Sequence, residues 1–260
     1  MTAKQQKLLT LLDDYGWDVF SYDILIAEGS LSSKEIWEAL RYLTKNGIII
    51  RIEKGKYHKT GFFDENVIAC SVVKNSSIAY WTAMNTHGLT EQIPNIIFVQ
   101  NSKRSGLLKL EKSGTVIKFI KVKESKLFGV KTYGYGNHLW RMTDVEKTII
   151  DSFELPIYSG GFPETIKAIS NAKLYQQKLI KYCKKQNNRS VTIRLGYLVD
   201  LLKKPNMDEF INYSLSLVGK NYILFEAGLP KSTEKNSRWK INLNIPEKEI
   251  IEIAYSSTQW

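Results

Sequence analysis

The apolar positions of the first sixty residues recur at helical spacing before giving way to β-rich runs. In "TAKQQKLLTLLDDYG", Leu8, Leu9, Leu11 and Leu12 gather on the inner side of a helix that Gly16 ends. "SYDILIAEG" predicts a short second helix, capped by Ser21 and stopped at Gly29. "SLSSKEIWEALRYLTKNG" predicts a third, with Ser32 or Ser33 as cap and Asn46-Gly47 as its end. Two β-rich runs then flank Lys54-Gly55 in "IIIRIEKGKYHK", the pattern of a hairpin. Three short helices and a hairpin follow the plan of a winged helix-turn-helix, so residues 1–60 are expected to form a DNA-binding domain.

The third helix divides cleanly by angle. Ile36, Ala39, Leu40 and Leu43 lie within about 100° of one another and make its buried stripe. Lys34, Glu38, Arg41 and Lys45 fall opposite, with Trp37 and Tyr42 at the flanks. A helix presenting cations suits a major groove, and Glu38 is able to accept from a base edge. The hairpin adds Arg51, Lys54, Lys56 and Lys59, placed to reach phosphate or the minor groove. The expected DNA contacts are Ser33, Lys34, Trp37, Glu38, Arg41, Lys45, Arg51, Lys54 and Lys56.

After a junction at 59–67 the pattern changes. "SSIAYWTAMNTHGL" predicts a helix capped by Ser76 or Ser77 and closed by Gly88. "IIFVQN", "TVIKFIKV" and "GVKTYGYGNHLWRM" read as strands. Helices are predicted over 143–154, 162–170, 173–187, 192–203 and 207–218, followed by strand-like "NYILFE" and "RWKINLNI". Strands gathered ahead of a run of helices predict an α+β (mixed α/β) fold for 61–260, without the regular alternation of a dinucleotide-binding domain.

Composition narrows the chemistry. The chain has 260 residues, 43% of them apolar, and so is globular. It has no apolar run of membrane-spanning length and no export leader, so a cytoplasmic protein without a membrane partner is expected. Cys70 and Cys183 are far apart, and His58, His87 and His138 are isolated, so neither a metal nor any other cofactor is expected. The net charge of +11 favours a polyanionic partner. It is unevenly spread. Residues 1–30 carry two lysines and five acids, a net of −3, and residues 31–60 carry seven cations and three glutamates, a net of +4.

The sharpest catalytic candidate is "TDVEKTIIDSFELPIYSGG", which sets Asp144, Glu146 and Lys147 within four positions. Thr143 followed three residues later by Glu146 fits a capping box, and Asp144, Lys147 and Asp151 then fall on a solvated helical face. Carboxylates and lysine along one helix differ from the adjacent-strand placement of an acid–lysine nuclease site. "YGYGNH" lacks the following helix of a phosphate-binding loop, and no GxxxxGK[ST] or GxSxG motif is present. No catalytic residues are assigned, and the chain is not expected to be an enzyme. In "LYQQKLIKYCKKQ", Lys178, Lys181 and Lys185 share a helical face, either solvated or a second basic contact to DNA phosphate or an acidic partner.

The winged-helix start, "HGLTEQIPNIIFVQ", "EKTIIDSFELPIYSGG", "RLGYLVDLL" and "RWKINLNI" together resemble the AbiEi-type antitoxins of type IV (abortive infection) toxin–antitoxin systems. The resemblance covers nearly the whole chain. It implies an N-terminal domain that represses its own promoter, with DNA contacts on the third helix and wing. It also implies a larger antitoxin domain that counteracts a nucleotidyltransferase-like toxin. Two other readings stay open at this point, a DNA-targeted nuclease and a one-component regulator that senses a small ligand.

Overall fold

The computed structural model describes residues 1–256, and these form eleven α-helices and three sheets in a mixed α+β arrangement. The N-terminal unit runs α1 (Ala3–Asp14), β1 (Val19–Ser21), α2 (Tyr22–Glu28), α3 (Ser33–Lys45), β2 (Ile49–Glu53) and β3 (Lys56–Lys59). Local chemistry sets its punctuation. Ser21 accepts from the Ile24 amide to cap α2, and Gly29 ends it with φ +83°, a conformation free of strain only without a Cβ. Ser32 caps α3 and exchanges a capping box with Glu35, leaving Ser33 as the first helical residue.

The strand order β1-β3-β2 makes a three-stranded antiparallel sheet with two buried faces. Phe20, Ile49 and Tyr57 point into the helices, against Leu8, Leu12, Leu25, Ile36 and Leu40. Val19 and Ile52 point the other way, into a core shared with Ile68, Val72, Val99, Ile117 and Phe119. Arg51 pairs with Tyr57 but Glu53 pairs with Lys56, so Ile52 is the extra residue of a bulge. The bulge turns Glu53 to the far side, where Arg104 donates to it at 2.7 Å.

That far side belongs to a six-stranded mixed sheet. Its members are β4 (Ser77–Ile78), β5 (Ile96–Asn101), β6 (Gly106–Lys109), β7 (Val116–Lys121), β8 (Val130–Tyr133) and β9 (Trp140–Thr143), in the order β6-β7-β5-β4-β9-β8. Helix α4 (Glu65–Val72) fills the gap between the two sheets, its first turn capped by Asp64. Helix α5 (Tyr80–Thr86) follows β4. Beyond it, α6 (Val145–Glu154), α7 (Phe162–Asn171), α8 (Gln176–Gln186), α9 (Arg189–Leu201), α10 (Asp208–Ser216) and α11 (Glu247–Tyr255) enclose the largest core, around Phe153, Ile166, Leu195, Phe210 and Trp239. Three two-residue strands, β10 (Ile223–Leu224), β11 (Lys235–Asn236) and β12 (Ile241–Asn242), close the fold. No helix among the described residues is long and apolar enough to cross a membrane.

Several local expectations are corrected. Ser77 lies in β4 rather than capping a helix, and α5 begins at Tyr80. The "NYILFE" and "RWKINLNI" segments supply only two-residue strands. Strands β1, β6 and β11 and helices α4 and α11 fall where the sequence predicts no element. The box between Thr143 and Glu146 does not form. Asp144 is the cap of α6, accepting from the Lys147 amide at 3.1 Å, while the Thr143 hydroxyl is bonded to Thr148 at 2.7 Å.

The expected solvated face of α6, Asp144, Lys147 and Asp151, is instead buried, and with Glu146 on the other side all four are under 5% exposed. Lys147 donates to Asp151 and to Gln186 of α8, and lies 4.5 Å above the Phe128 ring. Glu146 accepts from the Tyr175 amide and pairs with Lys178 at 2.6 Å. Asp144 accepts from the Tyr182 hydroxyl at 2.8 Å, and burial followed by this bond pushes the phenol up to about 12. The network pins α6 to α8.

Burial lifts the Asp151 carboxyl to about 6 even though Lys147 opposes the shift. Its proton is therefore bound more tightly folded than unfolded, and this contribution to stability is lost as pH rises from about 4 to about 6. Replacing Lys147 with Met should cost about 3–5 kcal/mol at neutral pH by leaving a buried carboxylate unpaired. Urea unfolding should show that deficit shrinking as the solution is acidified to pH 5. A deficit independent of pH would contradict this account of the pair.

Candidate nucleic-acid interface

Helix α3 packs its apolar stripe of Ile36, Ala39, Leu40 and Leu43 inward, and these four side chains are essentially inaccessible. The opposite face is open. Lys34, Trp37, Glu38, Arg41 and Lys45 are all exposed, Trp37 by 45%. The Trp37 ring rests on Tyr22 with centroids 4.8 Å apart, and the Tyr22 hydroxyl shares a 2.6 Å hydrogen bond with Ser33. This contact fixes the aromatic edge of the helix and occupies the Ser33 hydroxyl.

Beside the helix runs an open groove of about 620 Å³, lined by Trp37, Glu38, Arg41 and Lys45 on one side and by Arg51 and Tyr57 on the other. Its chemistry is cationic and aromatic, the combination that meets phosphate and base edges. Glu38 is the acidic member, and Lys4 of α1 stands 3.8 Å from it. Among the described residues, Lys34, Arg41, Lys45, Arg51 and Lys54 form no ion pair.

The hairpin contributes less than its composition implied. Lys56 donates to Glu53 at 2.8 Å and also to the Val72 carbonyl, so it braces the hairpin against α4 and is not free for another partner. Lys59 is clamped by Asp13 at 2.7 Å and Asp18 at 3.1 Å. Only Arg51 and Lys54 remain exposed on the hairpin. Hydrophobic patterning could not separate these four cations, because it does not show the bulge at Ile52, and the partners Val72, Asp13 and Asp18 lie outside the hairpin.

The second basic stripe is likewise divided. Lys178 bridges the buried carboxylates of Asp144, at 3.2 Å, and Glu146, so it is a structural cation and not a surface contact. Lys181, Lys184 and Lys185 are exposed and border a shallow depression with Gln177 and Ile180. The α8 surface is therefore basic through a different trio from the one the helical wheel selected, Lys184 replacing Lys178.

Further polar contacts tie the N-terminal unit to the larger part. His138, at the tip of the β8–β9 hairpin, donates to Asp18 at 2.8 Å. Asn137 donates to the Tyr15 carbonyl at 2.5 Å. Burial pushes the Asp18 carboxyl up, but hydrogen bonds from Lys59 and His138 outweigh it and hold Asp18 below its usual range. Among the described residues, no cluster of His, Cys, Asp and Glu has the geometry to hold a metal ion.

No protein-family model matches the chain, and no curated protein matches it in sequence. In structure it is similar to a crystal structure of the RV2827C protein from Mycobacterium tuberculosis. The TM-score is 0.60 at 12% identity, over 96% of this chain and 95% of the other. At that identity the likeness is one of fold, and it extends across both the N-terminal unit and the larger part.

The division of the lysines is measurable. Lys178→Met should lower stability by about 1–3 kcal/mol, since it leaves two buried carboxylates without their cation, and should leave affinity for duplex DNA unchanged. A fall in duplex affinity with unchanged stability would return Lys178 to the surface role.

Proposed function

We propose that the chain is a cytoplasmic DNA-binding autorepressor and the antitoxin of a type IV toxin–antitoxin system, without catalytic activity of its own. The single observation that carries the DNA-binding half is the open face of α3. Lys34, Arg41 and Lys45 stand free of ion pairs on a helix whose other face is locked into a core, with Arg51 and Lys54 beside it. On this reading the N-terminal unit is a winged helix-turn-helix, α3 enters the major groove, and Lys54 meets the backbone. Residues 1–60 would then be the DNA-binding domain and 61–260 the antitoxin domain, although the two share the core around Ile52.

The antitoxin half rests on the AbiEi-type segments, and the fold supports their belonging to one unit. "HGLTEQIP" follows α5, and "EKTIIDSFELPIYSGG" spans α6 to the turn before α7. His87 is hydrogen bonded through Nε2 to the Thr143 carbonyl at 2.7 Å, and Leu89 shares the core with Ile149 and Phe153. The partner would be a nucleotidyltransferase-like toxin, counteracted functionally and with no stable complex required. No toxin-neutralising residue is assigned.

Binding to the chain's own promoter should weaken steeply with salt, log K falling with log salt by about 0.9 for each phosphate neutralised. Arg41→Ala should cost about 1–3 kcal/mol and relax sequence preference, whereas Lys54→Ala should weaken binding to all sequences alike. Fluorescence anisotropy with promoter and scrambled duplexes separates the two, and unchanged binding by both variants would remove the face from consideration. Restored growth on co-expression with the neighbouring nucleotidyltransferase-like toxin tests the antitoxin half separately.

A further inference from the structure

A cavity of about 310 Å³ lies on the far side of β2, between the N-terminal sheet and the turn joining β6 to β7. Its size falls at the small end of the range for ligand pockets. Its walls are mainly apolar, formed by Ile50, Ile52, Phe62, Ile68 and Leu110, with His58 and Thr60 as polar members. Two cations stand at its edge without an ion pair among the described residues, Arg51 from β2 and Lys112 from the turn. Of the acids there, Glu65 accepts from the Thr115 hydroxyl, and Glu111 sits exposed on the turn beside Lys112. Phe63, at the rim, is 82% exposed. An apolar chamber with free cations at its mouth and an uncovered aromatic beside it is complementary to a small apolar anion.

Arg51 also lines the groove beside α3. It stands on an edge strand whose two faces look into the two sites, so this one residue borders both. We propose that this cavity is an effector site for a small apolar carboxylate or sulfonate, whose charged group engages Arg51 and withdraws it from DNA. Occupancy of the cavity stands on its own geometry. The coupling to DNA rests on the repressor reading above.

The test uses anilinonaphthalenesulfonate as the anionic probe and N-phenylnaphthylamine as its uncharged analogue, both on the full chain. One molecule of the sulfonate should bind per chain with enhanced fluorescence and be displaced by decanoate. Leu110→Trp, which fills the chamber, should abolish this binding, and Ser113→Trp at the exposed rim serves if the first variant does not fold. Arg51→Gln should weaken the sulfonate about tenfold and leave the neutral probe unchanged. Sulfonate binding that survives both tryptophan variants, or equal loss of both probes in Arg51→Gln, would overturn the site. Saturating sulfonate should weaken promoter binding several-fold in the parent chain but not in Leu110→Trp, and equal weakening or none in both would overturn the coupling. A parent chain that binds no duplex at all would sink the repressor reading and its coupling, while the probe titrations still decide the cavity.

Discussion

The structure depends on a three-stranded sheet that has no solvent face. In an isolated helical module with a wing, the sheet would bury one side and expose the other. Here Phe20, Ile49 and Tyr57 serve the helices, while Val19 and Ile52 serve the core beneath α4. The N-terminal unit is therefore joined to the rest of the chain through packed apolar surface and not through a linker alone. Polar contacts surround that joint, with Arg104 on Glu53, Lys56 on the Val72 carbonyl and His138 on Asp18. Burial works against the Glu53 carboxylate, but hydrogen bonds from Lys56 and Arg104 more than compensate and keep its acidity above normal.

Much of this was legible in the sequence, for reasons that are local. Helix α3 announced itself through spacing, a serine cap and a glycine beyond its end, and its buried and exposed faces are those the angles gave. Strand β5, "IIFVQN", has the bounds its β-branched run implied. Strand β1 was hidden because three residues show no alternation, and Val19–Ser21 is a strand only through its pairing with β3. The face of α6 was misread for a related reason. A helical wheel sends Asp144, Lys147 and Asp151 to solvent unless partners are known, and those partners, Tyr182 and Gln186, arrive some forty residues later on α8.

The same limit applies to the charges of the candidate interface. Net charge treats all cations as equal, whereas the fold sorts them by partner. Lys56 and Lys59 are consumed in holding the hairpin, and Lys178 in neutralising α6. Exposed ion pairs contribute little to stability, but each one removes a cation from the supply available to phosphate. What remains near α3 is a smaller set, Lys34, Arg41, Lys45, Arg51 and Lys54, more concentrated than the basic run from 31 to 60 suggested.

The doubly buried sheet also settles which surfaces are geometrically compatible. The larger part covers the face of the sheet that looks away from α1, α2 and α3, so it takes nothing from the open side of α3. The N-terminal unit is thus welded to the larger part while the outer face of α3 stays clear, because the attachment uses the sheet. The cost falls on the β2–β3 hairpin, whose tip is drawn toward α4 through Lys56 and toward Arg104 through Glu53. Strand β2 is left with different surroundings on its two sides, a groove beside α3 and a chamber against the larger part. Among the described residues, Arg51 is the cation that lines both.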